Sequence, residues 1–216
     1  MSGTGTSRRP PKNNPLQEAF AKYEAQKGIP SEDALFEIMS TVPELESKSQ
    51  RLLFWSLSTP GDISNQKKLS SELAAQKWAT KGDVFWLRHL LPQAYIQEMI
   101  KSWALAGTTP GTPSQLNEIF WERASKAFSR CAKGVVYVIL TGPCTDGDKF
   151  PVPEDYWAKY EWPILTGAQG NNNEVTEIRR YEADGPWDEE NNCYTKYAVI
   201  WTKTGGVVEK PVDVGG

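Results

Sequence analysis

Between Gln115 and Ala132, the residues Leu116, Ile119, Phe120, Ala124, Ala127, Phe128 and Cys131 recur at three- and four-residue spacing and form one apolar helical stripe. Lys133-Gly134 then supplies a helix stop, and the run VVYVIL (135–140) follows at once. A short, uninterrupted, β-branched run of this kind predicts a strand buried on both faces, as in a parallel sheet. The change of period within two residues points to an α/β architecture with a helix laid against a sheet.

Residues 1–15 carry Gly, Ser, Pro, Arg and Asn with almost nothing apolar, and they read as a disordered leader. Apolar residues at helical spacing predict helices from Leu16 to Tyr23, around Leu35 to Met39 after a Ser31 cap, from Asn65 to Trp78, and from Val84 to Leu105 with a start or kink at Pro92. GTTPGTPS (107–114) reads as a linker. A short helix from Pro153 is expected to end at Trp162-Pro163, and Val175–Tyr181 and Lys196–Thr202 read as strands around an acid-rich turn. The expected organisation is a leader (1–15), a helical subdomain (16–110), an α/β subdomain (111–205) and a flexible tail (206–216). In this α+β two-lobed reading, a helical N-terminal half packs on a C-terminal half with a short, mainly parallel sheet flanked by helices. A ligand is expected in the cleft between them.

Composition narrows the function. The 216 residues carry 24 Lys and Arg against 27 Asp and Glu, a formal net charge of −3, which disfavours nucleic acid and anionic lipid as partners. No apolar run approaches the ~18 residues of a membrane span, and the N-terminus lacks the apolar segment of a secretory signal peptide. The expectation is a cytoplasmic chain, or one delivered by a signal-independent route. Cys131, Cys144 and Cys193 allow one disulfide at most and have no C-x-x-C spacing, so no metal ligand set is expected. One His against 9 Trp turns attention from His chemistry to aromatic recognition.

Three aromatic and acidic groups stand out: Phe54-Trp55-Ser56, Phe120-Trp121 with Ser125, and Trp157 with Glu161 before Trp162-Pro163. A single Trp is more often core than ligand platform. In their order and context, however, the three groups resemble the ADP-ribosyl cyclase / cyclic ADP-ribose hydrolase family, which cleaves NAD in a pocket made by two tryptophans and one glutamate. FWERASKAFSRCAKGVVYVILTG (120–142) is similar to that family's helix-then-strand block, and LLFWS (52–56) to its earlier Phe-Trp-Ser motif.

The resemblance covers about Leu52 to Leu165. It implies that Trp55 and Trp121 flank the nicotinamide, with Ser56 beside Trp55, that Ser125 sits near the ribose, and that Trp157 is a pocket aromatic. Glu161 is implied as the catalytic carboxylate, with Glu154 and Asp155 as alternatives. NAD or NADP would be the substrate, with no cofactor and no metal. The reaction would release nicotinamide and mainly ADP-ribose, the cyclic fraction being open.

Two departures stand in the sequence. Trp86-Leu87-Arg88-His89 replaces a family segment whose carboxylates govern product choice, and Lys133 stands where the family has a Cys. Arg88 and His89 either contact the pyrophosphate or solvate a helix face. The competing readings are an inactive NAD- or ADP-ribose-binding module and a Trp-rich scaffold for a protein partner, and a regulatory or immunity partner is unspecified by the sequence.

Overall fold

The computed structural model describes residues 28–47, 51–56, 71–107, 109–140, 157–169, 174–183, 185–208 and 213–215. The leader, the helix expected at Leu16–Tyr23, Cys144, Glu154 and Asp155 lie outside them.

Helix α1 (Glu32–Ser40) starts where Ser31 Oγ accepts from Ala34 N, and it buries Leu35 and Met39. A short helix α2 (Pro43–Ser47) leads to strand β1 (Leu52–Ser56). Helix α3 (Ser71–Lys81) is followed by β2 (Phe85–Trp86), a single turn α4 (Leu87–Leu90), and α5 (Gln93–Ala106), which begins directly after Pro92 and closes on Gly107 at φ 62. Helix α6 (Pro113–Arg130) then runs into β3 (Gly134–Leu140). Its start is two residues earlier than the apolar stripe alone predicts. Thr112 Oγ1 accepts from Gln115 N while Gln115 Oε1 accepts from Thr112 N, a reciprocal cap that recruits Pro113 into the first turn.

A π-helical turn (Trp157–Glu161) passes into α7 (Trp162–Leu165). Here the sequence expectation is corrected. Trp162-Pro163 does not end the helix but marks a change of pitch from the π-helical turn to α7, with Pro163 at the second position of α7. Burial of Trp157 and Trp162, whose rings lie 6.1 Å apart, favours this over the extended geometry preferred before proline. Strands β4 (Val175–Glu182), β5 (Trp187–Asp188), β6 (Cys193–Tyr194), β7 (Lys196–Thr202), β8 (Gly206–Val207) and β9 (Asp213–Gly215) complete the chain. The acid-rich turn closes the β5–β6 hairpin, with Asp188 Oδ1 accepting from the backbone N–H groups of Glu190 and Asn191.

The sheet order is β2-β1-β3-β4-β7-β8, with β9 also on β7. Pairs β1–β2, β1–β3 and β3–β4 are parallel, and β7 joins β4 antiparallel. The protein is therefore a mixed α/β fold with a largely parallel sheet flanked by helices. Its sheet draws strands from both halves of the chain. Leu52–Ser56, expected within a helical half, is a strand because LLFW is a continuous apolar run that β2 and β3 cover on both edges. The segment expected as a flexible tail adds β8 and β9 to β7.

Side chains alternate across the sheet. Phe54, Val136, Val138 and Leu140 enter a core shared with α1, α5, α6 and Trp157, while Leu53 and Ile139 face a second core built by Ala74, Ala75 and Trp78 of α3 with Tyr181 and Tyr194. No helix among the described residues is long and apolar enough to cross a membrane.

Candidate functional site

The chain passes from β1 to β2 on one side of the sheet and later to β3 on the other, so its winding reverses at β1. At such a switch point the ends of neighbouring strands diverge and leave a crevice at their carboxyl ends. A cavity of about 340 Å³ lies beside β1, the strand at which the winding reverses. Leu53, Phe54 and Trp55 bring β1 to it, Leu87 and Arg88 enter directly after the end of β2, and Gln93 comes from the start of α5. Across from these, Asn117, Trp121, Ser125 and Phe128 stand four, four and three residues apart on one stripe of α6. Glu161, the last residue of the π-helical turn, closes the wall. Turns of this wider type interrupt a regular helix and re-aim the side chains beside them.

Five of the residues singled out in the sequence, Trp55, Arg88, Trp121, Ser125 and Glu161, thus line one hollow, whose walls come from both halves of the chain. Both indoles are half-buried, whereas Ser125 and Glu161 are 5% and 7% exposed. Trp121 Nε1 donates to Asn117 Oδ1 at 3.2 Å, and Gln97 Nε2 donates to the same oxygen at 3.3 Å, which fixes the indole from the preceding turn of α6. Phe54 and Phe128 meet at 5.1 Å between ring centroids and form an apolar base.

Arg88 is placed differently from a solvated helix residue. Its Cζ lies 5.6 Å from the centroid of Trp55 and 5.8 Å from that of Trp121, so the guanidinium faces both indoles at once. Its Nη1 pairs with Glu72 Oε1 of α3.

Trp157 and His89 stand outside the lining, the latter on the solvated face that was one of its two readings. Trp157 is 1% exposed and does not line the hollow; it packs behind Phe54 at 5.4 Å and against Trp162, because a large indole at this point fills the space between α6 and the sheet. His89 is exposed and edges onto Phe85 at 5.6 Å and Trp86 at 6.0 Å, away from the cavity lining. Ser56 ends β1 next to Trp55. Asn117, Gln93 and Glu72 were not anticipated. Asn117 was legible as the residue one turn before Trp121 on the same helix face, but nothing local in the sequence links Glu72 to Arg88.

Chemically, the hollow offers two indole faces for a flat cationic group, largely apolar walls, amides at Gln93 and Asn117, and one buried carboxylate. Among the described residues, no three His, Cys, Asp or Glu side chains are grouped so as to hold a metal ion.

No protein-family model matches the sequence, and no curated protein matches it. Solved structures similar to this chain include an Aplysia cyclase complexed with substrate NGD and product cGDPR, at 20% identity over 77% of this chain and 62% of that one with a TM-score of 0.41. An ADP-ribosyl cyclase complexed with N1-cIDPR is similar at 17% identity over 76% of this chain and 63% of that one, with a TM-score of 0.43. The chain spans less than two thirds of the length of either protein.

Proposed function

We infer that the protein is an NAD(P) glycohydrolase of the ADP-ribosyl cyclase kind, cleaving the bond between nicotinamide and ribose. The observation that carries this reading is the meeting of Trp55, Trp121, Ser125 and Glu161, distant in sequence, around one cavity. It is joined by the resemblance of 52–56 and 120–142 to that family.

The chemistry suits the residues. In NAD the ribose C1′ is bonded to a pyridinium nitrogen. When that bond breaks, its electron pair goes to the nitrogen and nicotinamide leaves as a neutral molecule, so no general acid is needed. Positive charge spreads over C1′ and the ring oxygen of the ribose. A carboxylate in a water-poor hollow stabilises that charge far better than it would in bulk water, and Glu161 is the one this reading assigns to the role. Trp55 and Trp121 hold the cationic ring by their faces, and Ser125 Oγ is the hydroxyl assigned to the ribose. Attack of water on C1′ gives ADP-ribose with release of one proton, whereas attack by the adenine gives the cyclic product. The cavity is at the lower end of the ~300–1,000 Å³ typical of ligand sites, so it takes the nicotinamide-ribose end and leaves the phosphates towards the mouth. Trp157 supports the wall through Phe54 and does not touch substrate.

Incubating the purified chain with NAD and separating the products by chromatography tests the reading. Free nicotinamide and ADP-ribose in equal amounts are expected. NAD binding without nicotinamide release would make the protein a binding module instead.

A further inference from the structure

We propose that Arg88 is a resident cation of the indole pair, and that a ligand's phosphate draws it away, so that the hollow admits a cationic ring only when that ring carries a phosphate. The proposal rests on the reading of the hollow as the nicotinamide-ribose site and deepens it by naming what selects the substrate.

Three observations carry it. The guanidinium lies within the ~6 Å reach of cation–π attraction from both Trp55 and Trp121, so it satisfies the two faces that a pyridinium would use. Two cations beside the same rings repel one another, and a phosphate-free pyridinium must therefore compete with the side chain already there. The counterion of Arg88 is Glu72, and the two side chains are 27% and 35% exposed, so the pair is open to solvent and easily exchanged. Finally, the cavity is too small for a whole dinucleotide, so the phosphates stay outside it, and Arg88 is the cation among the residues that line it.

A pyrophosphate accepts two parallel N–H bonds from a guanidinium and carries two negative charges against the one of the carboxylate it replaces. On binding, Arg88 trades Glu72 and the indoles for the pyrophosphate, and the nicotinamide ring takes the faces it leaves. No bond is made or broken in this exchange; only ion partners change. The arginine that blocks the free ring is the same group that grips the intact substrate. A site of this kind also lets free nicotinamide go, because the product carries neither the positive charge nor a phosphate.

The test is a pair of titrations followed by tryptophan fluorescence on the full chain carrying Glu161→Gln, so that NAD is bound without being cleaved, with 1-methylnicotinamide as the phosphate-free cation and NAD as the phosphate-bearing one. In Arg88→Ala, 1-methylnicotinamide should bind about fivefold tighter and NAD about fivefold weaker, shifts of opposite sign. Glu72→Gln, which removes the competing carboxylate and keeps its shape, should bind NAD about threefold tighter. Arg88→Lys, the variant that retains a cation should the alanine fail to fold, should still resist 1-methylnicotinamide while losing part of its hold on NAD. If Arg88→Ala or Arg88→Lys shifts both ligands in the same direction while the wild type still cleaves NAD, Arg88 is a structural clamp and this inference falls alone. If neither ligand binds the Glu161→Gln chain or the variants made on it, the inference falls together with the reading of the hollow.

Discussion

Trp121 illustrates how one side chain divides between fold and site. It packs at 5.4 Å against Phe120 of the core, yet its ring also faces the cavity, and its Nε1 is held by Asn117. Removing the indole by Trp121→Ala should raise KM for NAD by more than tenfold, because both the cation–π contact and the wall are lost. Asn117→Ala leaves the indole in place but unanchored. The lost hydrogen bond, about 1 kcal/mol, predicts a KM rise of about fivefold with kcat less affected, read from steady-state nicotinamide release. An equal fall in kcat with KM unchanged would place Asn117 in the chemical step instead.

Elements rather than residues decide how steady the cavity wall is. Helix α6 supplies four lining positions, and its start depends on the reciprocal Thr112–Gln115 cap. Thr112→Ala should lower stability by about 1 kcal/mol, seen as a lower midpoint in urea at unchanged slope. Beyond the end of α3, a Cβ on Gly82 would stand 2.5 Å from Trp78 Cδ1 and 2.6 Å from the carbonyl oxygen of Asn192. Gly82→Ala should therefore destabilise by ~1–3 kcal/mol, with nicotinamide release by the folded fraction unchanged, since Gly82 is not among the residues that line the hollow.

The same elements show what the sequence made legible. The stripe of α6 and the runs of β3, β4 and β7 carried clear periods, and the structure has elements at those places within a few residues of the expected ends. LLFWS did not, because a five-residue apolar run fits a buried helix turn and a buried strand alike, and pairing with Tyr137 to Leu140 some 80 residues on decides for the strand. Trp157 was misplaced for a related reason: its residue type fits a pocket as well as a core, and only packing against Phe54 and Trp162 separates the two. Arg88 stood out in the sequence, but its ion partner and its place beside the indoles come only from the fold, since α3 and α6 bring Glu72 and Trp121 to it from opposite directions along the chain.

For the molecule as a whole, burial makes an alkaline limit. Cys131 is buried, which pushes its thiol from 9.0 up to about 12, and burial raises the Tyr181 phenol as well. Below 9.0 the Cys131 thiol holds its proton in both folded and unfolded chains; above it the unfolded chain loses the proton first. Stability should therefore fall as pH rises from 9.0 towards about 12, and Cys131→Ala should flatten part of that fall in urea titrations run across the range. An unchanged slope in the variant would assign the loss to other groups. In the native chain at pH 8, Cys131 should also resist a maleimide that labels it readily after unfolding.

Glu161→Gln isolates the proposed chemical step, one carboxylate steadying a cationic sugar between two indoles, by keeping side-chain shape while removing its charge. Nicotinamide release at saturating NAD should fall by at least ~100-fold in this variant, with NAD affinity from fluorescence titration held within about threefold of wild type. Release at the wild-type rate by a folded Glu161→Gln protein would contradict the assignment and move the chemistry to another group.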